Sequence, residues 1–355
     1  MSNVLNQLLD FRVIDCHVHL WKAWNTLTEQ TVRSQGDELV EILEKGNIEQ
    51  MYTTGDDTGI YLKAKYPQFF YAGAPLPPIL KVSKDTLGFN WKRYIENLIT
   101  VGYDGIGEMG SKPKPRKDRV PLDGQPYEGF WSTCEELNYP VLCHVGDPIE
   151  FWDEKLIPDW ARNLGWGYYF GDFPSLKELY LEMENVLHRN PRLKIVLSHF
   201  YFMSADLEAA SAFLDLFANA HFDLSLGIEL MYNISRRRDD WREFFIKYAN
   251  RILYGTDIGV SQNLQQHLAR IWLIRTFLES DKEFYTPATA DDLLSRYEEP
   301  FVGLNLPSSV LTKIYSQNFQ RLWGRRPQEV NINAAISRCE REGNNVVANS
   351  LKTFI

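Results

Sequence analysis

The sequence predicts an α/β protein, a single-domain (β/α)₈ TIM-like barrel with extra C-terminal helices. Short apolar, β-branched or aromatic runs alternate with longer segments of helical character. There are eight such runs, at residues 13–20, 50–54, 69–74, 104–109, 140–145, 194–199, 222–226 and 251–257. Strands that alternate with helices form a parallel sheet, and eight strands are the number at which that sheet closes into a barrel. A chain of 355 residues fits one such barrel with additions.

Amphipathic segments separate the strands, at 36–45, 90–100, 127–137, 175–189, 207–219 and 240–248. A helical segment at 262–278 and an acidic stretch at 291–300 follow the eighth strand. The last barrel helix is predicted from Ser309 to Trp323, with Ser308 or Ser309 as its N-cap and Gly324 as its stop signal. We therefore expect a barrel over residues 1–325 and a helical extension packed on it over residues 326–355.

Composition restricts the class of protein. The net charge of −9 argues against general nucleic-acid binding, which needs a basic surface. No apolar run approaches 18 residues, so we expect no membrane span. The first ten residues lack the basic start and apolar core of a secretory signal, which predicts a cytoplasmic protein. The four cysteines show no pairing pattern and are expected to be reduced, at positions 16, 134, 143 and 339.

The first strand carries His17 and His19 with one residue between them. Side chains alternate faces along a strand, so this spacing places both imidazoles on the same side. Two neutral nitrogen ligands on one side can converge on one divalent metal. Two core histidines that happen to share a strand are the alternative.

Further polar residues stand at the ends of other strands. The carboxyl ends of barrel strands face one another across the mouth, so residues far apart in sequence become neighbours there. His188, His221 and His267 fall elsewhere and fit structural roles. The strand-end set therefore predicts a divalent-metal site made of His17, His19, Glu108, His144, His199 and Asp257.

The order of these six residues, with the local sequences at 191–199, 253–257 and 314–324, resembles the amidohydrolase superfamily. The resemblance is to the amidohydrolase-related (amidohydrolase 2) branch of metal-dependent hydrolases, which also holds nonoxidative decarboxylases. It implies that His17, His19 and Asp257 hold one metal. By the same resemblance, His144 joins them or holds a second metal with His199.

Glu108 separates these possibilities. Many members of the superfamily bridge two metals with a modified lysine on strand four, and some use a glutamate there. The decarboxylases usually work with one metal and no ligand from strand four. Glu108 therefore favours two metals and hydrolysis, and the alternative is that it supports a ligating histidine. The expected cofactor is Zn²⁺, as one or two divalent ions, with Mn²⁺ or another divalent ion as an alternative.

The leading hypothesis is a metal-dependent hydrolase of a small, anionic organic substrate such as a lactone, amide or ester. A bound ion would activate water and polarise the substrate, with Asp257 as the catalytic proton acceptor and His199 as an orienting group or ligand. A nonoxidative decarboxylase of an aromatic or muconate-like carboxylic acid is the second reading. A non-catalytic barrel with a retired metal site is the third.

Two loops on the catalytic rim suggest how a substrate is held. Arg116 follows strand four, and Arg236, Arg237 and Arg238 follow strand seven. They predict recognition of a carboxylate or phosphate, and the alternative is solvated charges paired with nearby acids. The aromatic loop after strand five, which includes Trp152, is either a lid over the substrate or a packed subdomain. The expected partner is a small molecule, with a homodimer possible.

Overall fold

The structure is a computed structural model that describes residues 10–20, 27–77, 89–227, 229–259, 262–294 and 300–355. The predicted absence of a secretory signal concerns residues 1–9, which lie outside these ranges. Residues 295–299 of the acidic stretch lie outside them as well. Among the described residues, no helix combines the length and the apolar character that a membrane crossing requires.

The central sheet confirms the predicted barrel. Its parallel strands are β1 Ile14–His19, β2 Gln50–Thr54, β3 Phe70–Ala74, β4 Gly105–Ser111, β5 Val141–Val145, β6 Ile195–Leu197, β7 Ala220–Asp223, β8 Ile252–Leu253 and β9 Ile258–Gly259. Their order in the sheet is β8-β7-β6-β5-β4-β3-β2-β1-β9. The two end strands, β8 and β9, are therefore two halves of one interrupted eighth strand.

Backbone hydrogen bonds across this interruption complete the closure. The N–H of Cys16 donates to the carbonyl oxygen of Tyr254, and the N–H of Asp257 donates to that of His17, each over 3.0 Å. The eighth strand therefore joins β7 on one side and β1 on the other. We call the carboxyl ends of the strands the mouth of the barrel and the amino ends its base.

Buried side chains lie on both sides of the sheet. A large cluster packs the outer faces of the strands against the helices. A separate cluster collects inward-facing residues such as Tyr52, Tyr71 and Leu142 and adds Phe319 and Trp323 from the last barrel helix. The interior below the mouth is thus packed solid, as in other barrels of this kind.

Helices surround the sheet, at Glu29–Gly46, Thr58–Lys65, Trp91–Val101, Phe130–Glu136, Asp159–Asn163, Leu176–Arg189, Leu207–Leu216, Glu229–Arg236, Arg238–Lys247 and Leu264–Glu279. The last barrel helix runs through Ser308–Thr312, a π-helical turn at Lys313–Gln317, and Asn318–Trp323. Short antiparallel strands β10 Glu283–Phe284 and β11 Phe301–Val302 pair outside the barrel.

Several predicted boundaries differ from the structure, and three of them bear on the site or on the last barrel helix. The seventh strand starts at Ala220 and ends at Asp223, so His221 lies within it. The sixth strand ends at Leu197, before His199. The N-cap of the last barrel helix is Pro307, whose ring fixes φ at −58° and needs no capping side chain at Ser308 or Ser309.

The C-terminal residues form two further helices, Ile332–Arg341 and Asn345–Leu351. The first contacts the helix Trp91–Val101, and the second contacts Glu29–Gly46. These contacts agree with the expected extension beyond the last barrel helix. The division of the chain at residue 325 stays a prediction.

Candidate metal centre and active site

The mouth of the barrel brings together the two histidines of β1 and the aspartate that precedes β9. The Nε2 atoms of His17 and His19 lie 3.1 Å apart. Oδ1 of Asp257 lies 3.0 Å from Nε2 of His19 and 3.8 Å from Nε2 of His17. Each of the three residues offers a ligand atom within 4.8 Å of the other two. Such a group is able to hold one divalent ion.

Glu108 on β4 lies among the four histidines. Its Oε1 is 3.5 Å from Nε2 of His17, 3.3 Å from Nδ1 of His144 and 3.9 Å from Nε2 of His199, and its Oε2 is 3.6 Å from Nε2 of His19. Oε1 is buried and has no hydrogen-bond partner among the described residues. A buried carboxylate oxygen without a partner is costly, and a cation at this position would satisfy it. His17, Glu108 and His199 form a second possible ligand group.

The outer ring nitrogens of His144 and His199 face backbone carbonyl groups. Nε2 of His144 is 2.9 Å from the carbonyl oxygen of Gly146, and Nδ1 of His199 is 3.3 Å from that of Ser225. A carbonyl oxygen only accepts, so each outer nitrogen carries the proton. In the neutral form of each ring, the inner nitrogen would therefore present a lone pair towards Glu108, as a metal ligand requires.

Asp223, the last residue of β7, accepts a hydrogen bond from the outer ring nitrogen of His17, as the carbonyl groups do for His144 and His199. The sequence reasoning missed this residue. Its Oδ2 lies 2.9 Å from Nδ1 of His17, and both side chains are fully buried. Its Oδ1 accepts the backbone N–H of His199 over 2.8 Å and the hydroxyl of Ser225 over 2.5 Å. One carboxylate thus positions two candidate ligands. The sequence signal that could have revealed Asp223 is its position as an acidic residue within an apolar strand.

Arg270 positions the remaining carboxylate. Its guanidinium is 2% exposed, and Nη1 lies 3.5 Å from Oδ2 of Asp257 and 3.1 Å from the backbone oxygen of the same residue. Nε and Nη2 bind both oxygens of Asp291, over 2.8 Å and 3.2 Å. The pairing with Arg270 occupies Oδ2 of Asp257, so that Oδ1 faces the histidines.

At the mouth, several residues other than glycine have the left-handed backbone conformation, which residues with a Cβ atom rarely adopt. The four residues from His199 to Phe202 have φ between 52° and 57°, and Asp257 has φ of 55°. Left-handed backbone costs roughly 1–2 kcal/mol for each such residue, and this strain concentrates at functional sites. Here it accompanies the two residues to which catalytic roles are assigned.

Electrostatic coupling is strong within the cluster. Burial opposes a charge on His17, but the carboxylates of Glu108 and Asp223 outweigh it and raise its pKa well above the usual value. Burial likewise opposes ionisation of Glu108, yet His17 and His144 hold its pKa well below the usual value. Burial, and next the nearby His144, lower the pKa of His199 to about 4. A bound cation would replace protons here, so metal binding and proton release are linked.

A cavity of about 230 Å³ opens onto the cluster. Beyond the candidate ligands it is lined by Lys112, Asp147, Pro148, Phe151, Trp160, Trp166, Phe202, Leu226, Gly227, Glu229 and Leu293. Part of the aromatic segment after β5 thus lines the cavity, and its Phe151 and Tyr168 also pack in a small cluster of their own. The volume and the apolar walls suit a small organic molecule.

Lys112 is the only lysine or arginine among the described residues that line the cavity. Its Nζ lies 3.0 Å from Oδ1 of Asp147 and 3.6 Å from the centre of the Trp166 ring. The hydroxyl of Tyr168 donates to the other oxygen of Asp147 over 2.5 Å. These contacts fix the position of the ammonium group at the wall of the cavity.

The profile of the amidohydrolase family matches residues 107–325, more than half of the chain. The chain belongs to this amidohydrolase family. The match includes Glu108, His144, His199 and Asp257 and begins after the two histidines of β1. The family is generally metal-dependent, in agreement with the two possible ligand groups at the mouth.

Solved structures agree on the fold. An uncharacterised TIM-barrel protein from Bordetella bronchiseptica matches with a TM-score of 0.52 at 12% identity, over 88% of this chain and 98% of that one. The 2,6-dihydroxybenzoate decarboxylase from Rhizobium matches with a TM-score of 0.51 at 16% identity, over the same shares of the two chains. Identities this low show the barrel alone.

Two predicted substrate-binding residues form contacts with other parts of the chain. Arg116 forms ion pairs with Asp172 over 3.0 Å and Glu178 over 2.8 Å. The indole N–H of Trp152 donates to the carbonyl oxygen of Pro174 over 2.8 Å. Neither residue lines the cavity. The residues that line the cavity from these two loops are Lys112, Asp147, Pro148, Phe151, Trp160 and Trp166.

The three arginines after β7 are also absent from the cavity wall. Arg236 is exposed and lies over the ring of Tyr232, and Arg237 pairs with Glu208 over 2.9 Å. Arg238 donates to the carbonyl oxygen of Gly303 over 2.9 Å. Of these contacts, the pairing of Arg237 with Glu208 matches the alternative of solvated charges paired with nearby acids. A role of the three arginines in binding a substrate stays a prediction.

Proposed function

We propose that this amidohydrolase is a metal-dependent hydrolase of a small organic substrate with an ester, lactone or amide carbonyl group. The observation that carries the proposal is the position of Glu108. Its buried, unpartnered Oε1 lies between the group formed by His17, His19 and Asp257 and the inner nitrogens of His144 and His199. A carboxylate in that position suits a bridge between two divalent ions.

The residues present fit such ions, proposed as Zn²⁺ with Mn²⁺ as an alternative. When bound, a divalent ion at the mouth makes water a better nucleophile and polarises a carbonyl group. Asp257 then serves as the proton acceptor, because Arg270 holds one of its oxygens while the other faces the cluster. Nε2 of His199 faces the cluster, where it would ligate an ion or orient the substrate oxygen.

The cavity supports a small substrate that carries an oxygen anion. Its volume of about 230 Å³ and its aromatic walls suit a planar organic group. Lys112 supplies a positive charge at the wall, although its pairing with Asp147 offsets part of that charge. The bound divalent ions would therefore supply most of the attraction for an anionic substrate.

A nonoxidative decarboxylase is the second candidate. Aromatic side chains line the cavity, and the similar structure from Rhizobium is a 2,6-dihydroxybenzoate decarboxylase. In that case one ion is expected, and Glu108 would support His144, whose Nδ1 lies 3.3 Å from it.

Metal counting with a substrate screen separates these candidates. Elemental analysis of the purified chain is combined with assays on lactones, N-acyl compounds, phosphoesters and aromatic acids. We expect two ions per chain in the wild type, one in Glu108→Gln, and hydrolytic turnover. One ion in both proteins, with release of carbon dioxide from an aromatic acid and no hydrolysis, would establish the decarboxylase instead. A barrel with a retired site predicts no turnover that depends on His17.

We also propose that the protein works in the cytoplasm on a small molecule, without nucleic acid or a membrane, as a monomer or a homodimer. The support is the net charge of −9 and the absence of a long apolar run. Cell fractionation and sedimentation of the purified chain test the location and the oligomeric state. Recovery in the membrane fraction would contradict the proposed location.

A further inference from the structure

A carboxyl group that the proposed chemistry does not use lines the same cavity. Glu229 is the first residue of the helix Glu229–Arg236, and it is 6% exposed. Within the described part of the chain, its carboxyl group forms no hydrogen bond or ion pair with another side chain and lines the cavity instead. A buried carboxyl group of this kind is unusual, because buried polar groups are normally paired.

Gly227 makes room for this group. A Cβ atom built on Gly227 would collide with both carboxyl oxygens of Glu229. The backbone of Gly227 is outside the left-handed region, so its conformation does not require a glycine. Lack of a side chain at position 227 therefore serves to admit the carboxyl group at the cavity wall.

The surroundings of Glu229 favour its neutral form. Burial raises its pKa to about 8, the negative charges of Glu150 and Asp147 add to this, and the positive charge of Lys112 and its own backbone N–H oppose it. The carboxylate of Asp147 already pairs with Lys112, which limits the positive charge left to stabilise a second anion. A neutral carboxyl group has an O–H to donate, whereas a carboxylate only accepts.

We propose that Glu229 is a substrate-recognition residue whose neutral carboxyl group donates a hydrogen bond to a carbonyl or carboxylate oxygen of the substrate. The inference rests on the proposed function only in taking this cavity as the substrate site. It gives the cavity a preference for oxygen acceptors over amines. An ionised Glu229 would reverse that preference, since a buried carboxylate attracts an ammonium group.

Binding of two simple probes to the metal-loaded full chain tests the proposal without requiring turnover. Benzoate and benzylamine share one aromatic ring and differ in the group that Glu229 would recognise. By calorimetry at pH 6.5, we expect benzoate to bind the wild type more tightly than benzylamine. Glu229→Gln, whose amide still donates, should bind benzoate within about 3-fold of the wild type, and Glu229→Ala about 10-fold more weakly.

The pH dependence gives a matched control. The fraction of Glu229 in its neutral form should fall as the pH rises past about 8. Benzoate should therefore bind the wild type about 10- to 30-fold more weakly at pH 9.5 than at pH 6.5. Glu229→Gln should show only the part of this difference that comes from the metal site, which both proteins share, because its own side chain does not titrate. Gly227→Ala should resemble Glu229→Ala, since the new Cβ displaces the carboxyl group.

Carbon-13 NMR of protein labelled at the glutamate side-chain carboxyl carbon reads the same group directly. The Glu229 signal is assigned by its absence in Glu229→Gln, and we expect it to titrate near pH 8. A midpoint below pH 6 overturns the proposal. The proposal is also overturned if the wild type fails to bind benzoate or prefers benzylamine. Unchanged affinity in Glu229→Ala, or the same pH effect in Glu229→Gln as in the wild type, would overturn it as well. Absence of hydrolysis in the substrate screen would instead count against the proposed function alone.

Discussion

The barrel buries a histidine at each end, His17 at the mouth and His221 at the base, and their surroundings are opposite. Within 4 Å of the ring nitrogens of His17 lie carboxylate oxygens of Glu108, Asp223 and Asp257. Most of these oxygens and of the neighbouring histidine nitrogens are hydrogen-bond acceptors, and there are too few donor protons to satisfy them all. The mouth therefore has an excess of electron pairs that point inwards.

The ring of His221 is satisfied by the chain itself. Nδ1 lies 3.2 Å from the carbonyl oxygen of Ile195 and 3.0 Å from that of Asn219. Nε2 lies 3.3 Å from Nη2 of Arg321, which has a proton to donate. A neutral imidazole with one donor and one acceptor nitrogen meets all of these contacts.

The comparison teaches that neighbours, rather than residue type or burial, distinguish a candidate ligand from a structural histidine. The carboxylates raise the pKa of His17 far above its usual value. Burial, followed by the charges of Arg251 and Arg321, lowers the pKa of His221 to about 3. A bound cation would be favourable beside His17 and unfavourable beside His221.

The largest effect is expected from Asp257→Asn at the mouth. Loss of the proton acceptor should lower kcat by about 10²- to 10⁴-fold at saturating metal, measured with the best substrate from the screen. His221→Gln at the base serves as the control, with kcat close to the wild-type value. A metal-loaded Asp257→Asn enzyme within 10-fold of the wild type would remove Asp257 from the proton-accepting role.

Lys63→Met at the base should reduce stability without a loss of metal. Lys63 and Asp104 form a buried ion pair of 2.6 Å, with exposures of 0% and 1%. Removal of one partner leaves a buried charge and should cost about 3–5 kcal/mol in the free energy of unfolding, measured with urea. The double variant Lys63→Met/Asp104→Leu should recover part of that loss. Unchanged stability in Lys63→Met would show that the pair is not closed off from water.

Asp223→Asn sharpens the comparison, because it changes the support of His17 while retaining the ligand itself. We expect the affinity for the divalent ion to fall about 10- to 100-fold in competition with a chelating dye. His17 loses the carboxylate that orients its ring. Equal affinities in the variant and the wild type would mean that the ring is held by its packing alone.

The last prediction concerns acid stability and belongs to the base. His221 has a folded-state pKa of about 3, below the usual value near 6.5 in an unfolded chain. Between these values the unfolded chain binds the extra proton, so stability present above pH 6.5 is lost as the pH falls towards 3. The slope for this one group is about 1.4 kcal/mol per pH unit. His221→Gln should show a shallower decline in unfolding experiments between pH 6.5 and 4, and an identical decline would contradict the assignment.

The barrel could be predicted because hydrophobic periodicity repeats along the whole chain. The gathering of the six residues at the mouth follows from the barrel, since it depends only on which end of each strand carries them. Their role as metal ligands stays a prediction. The exact end of β7 could not be read from periodicity, and this error concealed Asp223 as a rim residue.

Other parts of the site depend on contacts between distant segments. Arg270 reaches Asp257 from the helix Leu264–Glu279, and Glu229 enters the cavity because Gly227 leaves space. The contacts of Arg237 depend on a distant segment as well. Its acidic partner Glu208 lies 29 positions earlier in the chain, and no local pattern announces the pair.

Metal content in two matched variants tests the central claim most directly. His17→Ala and His221→Ala each remove a buried imidazole, one at the mouth and one at the base, and elemental analysis counts the ions per folded chain. We predict that His221→Ala retains the one or two ions of the wild type and that His17→Ala loses at least one of them. Equal metal content in the two variants, or no bound metal in the wild type, would contradict the account.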